Sequence, residues 1–170
     1  MKPNTIVYTS NTGYTRQYAM LLGSKTGLPV YSLDEAMEKL APGNSVIYLG
    51  WLMAGKVQGY AKASRRYHIG AVCGVGMGAT GSQTQDLRKA NALPASMPVF
   101  TLQGGFDITR LRGVYKLMMT VMVKTVGKGL ADKNDRSPDE DAMLDLMLHG
   151  GSRVSEEHLA ALLEWYEMVV

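Results

Sequence analysis

A chain of 170 residues, 46% apolar and 19% charged, is long enough to bury one real core and too apolar to stay disordered. Its net charge of +3 is mild and no aromatic–basic recognition motif accompanies it, so nucleic acid is not an expected partner. No run approaches the roughly 20 apolar residues of a transmembrane helix, MKPNTIVYTS has no signal-peptide core, and the single Cys73 precludes an internal disulfide and suits a reducing, cytoplasmic setting.

Short apolar runs alternate with helical patterns from the N-terminus onward, the mark of βαβ units around a parallel sheet. The pattern predicts strands at Thr5–Thr9, Leu28–Tyr31, Ser45–Gly50, Ile69–Gly74 and Met97–Leu102. Helices are predicted at Gly13–Gly23, Leu33–Leu40, Val57–Tyr67 and Thr84–Asn91. Ser32 followed by Glu35 is a capping box, in which each side chain satisfies a free backbone N–H of the other. After the fifth strand the rhythm changes. ITRLRGVYKLMMTVMVKTVGKGL (108–130) reads as one long helix, and Ser137-Pro138-Asp139-Glu140 caps another that runs to His149. Ser155 then caps a last helix, 155–168. One domain, 1–170, with a helical insertion over 106–150, is the expected organisation.

The first strand empties into Ser10, Asn11, Thr12, Gly13, Tyr14 and Thr15 at the start of the first helix. A cap needs one such residue; a hydroxyl-rich cluster with a glycine is what a phosphate needs. The helix start supplies free N–H groups and the positive end of its dipole, the side chains add hydrogen bonds, and Gly13 admits close approach. Only Arg16 is charged nearby, so dipoles rather than cations are expected to hold the anion.

This S-x-T-G-x-T pattern on the first strand resembles the FMN phosphate loop of the flavodoxin-like family. The resemblance covers residues 4–105 in element order, and then the final helix. It implies a three-layer α/β fold with a five-stranded parallel sheet in the order 2-1-3-4-5 and flavin at its carboxyl edge. In that family the isoalloxazine lies between the loops after the third and fourth strands. Here those contain Trp51, Leu52 and Met53, and Gly74, Val75, Gly76, Met77 and Gly78. Trp51 and Met53 suit a flavin face, with core packing the plainer alternative for Trp51. The glycines would let backbone amides reach the ring's polar edge, unless they form only a flexible turn. The aromatic that family members often carry in the second loop is missing.

Two motifs nearly match other nucleotide sites. GWLMAGKV lacks the Ser or Thr of a P-loop at Val57 and is bulky where that loop is glycine-rich. GMGATG (76–81) spells G-x-G-x-x-G, but on the fourth strand and without an acid some 20 residues on, so NAD is not expected. His68, His149 and His158 lack metal-ligand spacing, and no metal is expected.

Gly104, Gly105 and Asp107, leading into a Met-rich helix opened by Arg110 and Arg112, resemble the flavodoxin-type, menaquinone-dependent protoporphyrinogen oxidases, and Gly104, Gly105 and Phe106 are expected beside the flavin ring as well. That likeness implies an FMN-dependent oxidoreductase acting on a small molecule or quinone; the alternative is a non-enzymatic electron carrier serving a protein redox partner. Plain carriers of the family are usually acidic, whereas this chain has 18 Lys and Arg against 15 Asp and Glu. In 108–130, Arg112, Lys116, Thr120, Lys124 and Lys128 form one polar stripe beside a broad apolar arc. The arc is expected to pack on the domain's own core. The basic stripe is either solvated or in peripheral contact with an anionic surface such as the inner face of the membrane.

Overall fold

The computed structural model describes residues 1–169. Strand β1 (Thr5–Thr9) leads into helix α1 (Tyr14–Thr26), and β2 (Val30–Ser32) into α2 (Leu33–Lys39). β3 (Ser45–Met53) turns into the short β4 (Lys56–Val57), and a single-turn helix α3 (Tyr60–Ala63) precedes β5 (His68–Gly76). Helix α4 (Thr84–Ala90) and β6 (Val99–Gln103) complete the alternation. The parallel strands lie in the order β2-β1-β3-β5-β6, and β4 pairs antiparallel with β3. With β4 set aside this is 2-1-3-4-5, the order of a three-layer flavodoxin-like fold.

Both faces of the sheet are covered, which is why its strands read as near-continuous apolar runs. Alternation along β1 and β3 divides the core in two. Ile6, Ile47 and Leu49 face one side with Tyr18 and Leu22 of α1. Val7, Val46 and Tyr48 face the other, with Leu33 and Ala36 of α2 and Leu87 of α4. The C-terminal segment, a 3₁₀ turn (Glu156–Leu159) continued by a terminal helix (Ala160–Met168), returns to the first face and buries Leu159, Leu162 and Tyr166 there.

Between β6 and that terminal helix lies the insertion. β7 (Gly105–Phe106) pairs antiparallel with β8 (Gly151–Ser152), so the two ends of the insertion are zipped together at its neck. The loop between them carries α5 (Gly113–Met122), a π-helical turn (Val123–Gly127), α6 (Lys128–Asp132) and α7 (Pro138–His149). The terminal helix (Ala160–Met168) is α8. Both capping boxes form: the N–H groups of Glu35 and Glu140 donate to Ser32 Oγ at 3.3 Å and Ser137 Oγ at 3.2 Å. No helix among the described residues is long and apolar enough to cross a membrane.

Two expectations give way. The helix expected at Val57–Tyr67 shrinks to Tyr60–Ala63, because Ala54 and Gly55, with φ of 49° and 76°, form a tight hairpin turn that carries the chain into β4. The long helix expected from Ile108 begins only at Gly113. Asp107 explains the delay. Its Oδ1 accepts from the N–H of Thr109 at 2.9 Å, so the side chain closes a local turn that competes with the helix.

Candidate functional site

At the carboxyl edge of the sheet a cavity of about 400 Å³ opens between the ends of β1, β3 and β5 and the inserted helices. Its position is where the strand order reverses between β1 and β3, the place where open α/β sheets bind ligands. Asn11, Thr12, Tyr14 and Thr15 form one end. Trp51, Leu52 and Met53 from β3, and Val75, Gly76, Met77 and Gly78 from β5 and its loop, form the walls. Gly105 and Phe106 close a further side.

The polar end is shaped by Gly13. Its φ of 99° is left-handed, and the turn it makes lets its N–H donate to Ser10 Oγ at 3.2 Å. Ser10 and Gly13 thereby set the loop's shape without lining the cavity. The first donor inside α1 is Gln17 N–H, which reaches Gly13 O at 3.0 Å. The N–H groups of Tyr14, Thr15 and Arg16 therefore start the helix without intrahelical partners, and among the described residues no side chain caps it. This end of the cavity has free donors and the positive end of a 13-residue helix.

A cation also stands there. Arg110, from the insertion, donates from Nη1 to Thr12 O at 3.1 Å and holds Asp107 Oδ2 with Nε at 3.1 Å. Its guanidinium carbon lies 5.8 Å from the Tyr14 ring centroid. The Asp107 carboxyl is held below the usual carboxylate range, first by its hydrogen bonds from Thr109 and then by Arg110. Burial raises the Tyr14 phenol above its ordinary value, with Arg110 opposing the shift and Asp107 adding to it.

The four glycines at the far side divide by role. A Cβ on Gly74 would lie 2.5 Å from Leu87 Cδ1 and 2.8 Å from Leu52 Cδ2, and one on Gly104 would lie 2.7 Å from Val75 Cγ1. Gly74 and Gly104 are thus packing glycines that stand behind the cavity wall. Gly76 lets Leu52 lie flat against it, and a Cβ on Gly105 would strike the Tyr14 ring and Gly151 O, both at 2.6 Å.

The loop after β5 is pinned rather than floppy. Gly104 N–H donates to Gly76 O at 2.8 Å, Gln103 Nε2 to Met77 O at 3.1 Å, and Gly81 N–H to Thr101 O at 3.0 Å. From the insertion, Asp139 Oδ1 accepts from Ala79 N–H at 3.1 Å, so the first turn of α7 braces the same loop.

The insertion also supplies a second half to the cavity that the loops alone do not foretell. Tyr115, Met118, Met119 and Met122 line it from α5 and Met143 and Met147 from α7, with Leu111 and Val126 beside them. Spacing contained the signal: positions 115, 118, 119 and 122 follow the i, i+3, i+4, i+7 rule for one helix face. Tyr115 meets Trp51 edge to face, ring centroids 5.4 Å apart and planes at 85°. An aromatic thus reaches the site from the insertion rather than from the second loop. Arg110 had no such signal, since 98 positions separate it from Thr12.

The apolar arc of α5 does not pack on the core as expected: none of its residues is buried. GWLMAGKV forms a β-hairpin rather than a strand–loop–helix phosphate cradle, and Lys56 Nζ donates to Ala90 O. The histidines lie apart, His149 against Asp145 Oδ1 at 2.9 Å and His158 Nδ1 against the Tyr18 hydroxyl at 2.7 Å. The chain matches no protein-family model, no curated protein and no solved structure.

Proposed function

We propose that this protein binds FMN noncovalently in the cavity at the carboxyl edge of its sheet and serves as an oxidoreductase. The observation that carries the reading is the cavity's polarity from end to end. Uncapped N–H groups and hydroxyls at the start of α1 suit a phosphate dianion, and an aromatic, methionine-rich remainder suits a flat tricyclic ring. Its volume falls within the range of about 300–1,000 Å³ common to small-molecule sites.

On this reading the backbone N–H groups of Tyr14, Thr15 and Arg16 and the hydroxyls of Thr12 and Thr15 hold the phosphate. Arg110 adds the charge that the loop itself lacks. Trp51, Leu52 and Met53 on one side and Val75 to Gly78 on the other enclose the ring, with backbone amides of the pinned loop available to its polar edge. Bound FMN supplies hydride or single-electron transfer. The chain's part is to orient it and to exclude water with Leu52, Met53 and the inserted methionines.

An enzyme is favoured over a plain carrier because the cavity continues into a chamber of methionines that the loop residues do not require. Flavodoxin-type protoporphyrinogen oxidases, which the insertion resembles, make protoporphyrinogen with a menaquinone analogue the first substrate pair to try.

The test is the visible spectrum of the purified protein after incubation with excess FMN and desalting. Flavin absorbance should be retained, and lost in the Thr12→Ala, Thr15→Ala double variant. Arg110→Ala should weaken FMN by about three- to tenfold, since the side chain is half exposed, while leaving riboflavin affinity unchanged. A wild-type protein that stays colourless overturns the reading.

A further inference from the structure

Among the described residues, three other than glycine take a positive φ: Ala54, Gln83 and Ala92, at 49°, 58° and 50°. Two are explained by the turns they make. Ala54 sits in the hairpin that leads into β4, and Ala92 follows α4, where its N–H donates to Lys89 O at 3.2 Å. Gln83 makes no such turn. It opens α4, a position from which Ser32 and Ser137 cap their helices with extended backbones. Gln83 instead has φ 58° and ψ 16°, and its side chain caps nothing. Helices α1 and α3 also open from the left-handed region, but with Gly13 and Gly59, which adopt it without steric cost. At Gln83 the chain keeps a long side chain in a conformation that disfavours one.

The surrounding backbone holds it there. Thr101 Oγ1 donates to Ser82 O at 2.6 Å, Ser82 Oγ donates to Ala79 O at 2.6 Å, and Gln83 O accepts from Leu87 N–H at 2.9 Å. Strain that the surroundings over-determine is typical of residues kept for function. What this strain delivers is a carboxamide at the cavity wall, since Gln83 lines the cavity beside Gly78. A Cβ on Gly78 would lie 3.3 Å from Gln83 Oε1 and 3.4 Å from its Cδ, so the amide rests against the face of that glycine. Among the described residues this amide has no hydrogen-bond partner, in contrast to Gln103, whose Nε2 is tied to Met77 O at 3.1 Å. A ligand that covers the Gln83 amide displaces its water and must replace those hydrogen bonds. A carboxamide presents one acceptor and two donors side by side, and the matching edge is a ring imide, an N–H flanked by carbonyls.

We infer, on the flavin reading above, that Gln83 is a specificity-determining residue that reads the imide edge of the ring, its Oε1 accepting from the N–H and its Nε2 donating to an adjoining carbonyl. Arg110 acts on the phosphate and Gln83 on the ring, so the two recognise separate parts of one ligand.

Titration of the full chain with FMN and with 3-methyl-FMN, in which a methyl group replaces the imide proton, tests this. The wild type should bind FMN at least about tenfold more tightly than the analogue, because the methyl group removes the donor and leaves the carboxamide unpaired. Gln83→Ala removes the amide and should weaken FMN by about three- to tenfold, with the preference over the analogue falling to about twofold or less. Gln83→Gly should match Gln83→Ala in binding while its denaturation midpoint stays at or above that of the wild type, since glycine takes this φ freely. Arg110→Ala should weaken both ligands equally and leave the preference unchanged. A wild type that binds the two flavins equally, or Gln83 variants that keep the wild-type preference, would overturn the inference and leave the flavin reading standing. A lowered midpoint in Gln83→Gly would also overturn it, by showing that the side chain serves the fold. A wild type that binds neither flavin overturns both.

Discussion

Two helices of similar apolar content, α8 and α5, have opposite surroundings. α8 returns to the sheet and buries Leu162 and Tyr166 among Ile6, Leu22 and Ile47. α5 stands on the insertion with none of its residues buried. The difference is one of anchoring. α8 packs on a sheet face in one cluster with α1, whereas α5 is held by a two-residue ladder at the neck, by Arg110 at the Thr12 carbonyl and by Asp139 at Ala79. Apolar content therefore measures stability in one helix and leaves surface free for a ligand or partner in the other.

The comparison can be broken most decisively by truncating one leucine on each helix. Leu162→Ala should cost about 2–5 kcal/mol, because a fully buried side chain leaves a cavity. Leu117→Ala should change stability by less than about 0.5 kcal/mol. Chemical denaturation of both variants decides it, and comparable losses would mean that α5 is packed after all.

A smaller effect sharpens the boundary between the two regions. Ser137→Ala removes the oxygen that accepts Glu140 N–H and should weaken α7 by about 1 kcal/mol. If the insertion opens independently of the sheet, amide exchange should quicken in α7 and in the loop around Ala79 while β1, β3 and β5 keep their protection. Uniform acceleration across the chain would show that the two regions unfold as one.

The smallest expected effect is on pH. The folded Asp107 carboxyl lies below its ordinary value of 3.8, so the contribution of its contacts is complete above that value and fades as pH falls through the lower folded one. The tie between Arg110 and the loop at Thr12 should hold at neutral pH and slacken only in strong acid. Asp107→Asn should remove that acid dependence, read as the pH at which the near-ultraviolet circular dichroism of the packed aromatic side chains is lost. An unchanged profile would assign the dependence to other carboxylates.

How much of this was written in the sequence follows from the range of the interactions concerned. The first strand, both capping boxes and the glycine turn at Gly13 depend on residues within a few positions of each other, and they are legible for that reason. The loop at the cavity's polar end was legible for the same reason, whereas the Arg110 that joins it from the insertion was not. The sequence missed the hairpin at Ala54-Gly55, where a non-glycine residue takes a positive φ that composition does not advertise. It misread the start of α5, where the Asp107 side chain outcompetes the helix. Gly74 and Gly104 looked like cavity residues because strand register, not residue type, decides which side of the wall a position occupies.

The sequence by itself determined the alternation of strands and helices, the parallel sheet those runs imply, and a hydroxyl-rich loop at the first helix start, since local hydrogen bonding and the two- and 3.6-residue periods fix all three. Only the tertiary structure decided that Arg110 reaches across 98 positions to that loop, that Tyr115 meets Trp51, and that half of an apolar helix faces water. Those outcomes depend on how the insertion folds back over the sheet edge, and that placement is set by contacts between segments far apart in the chain.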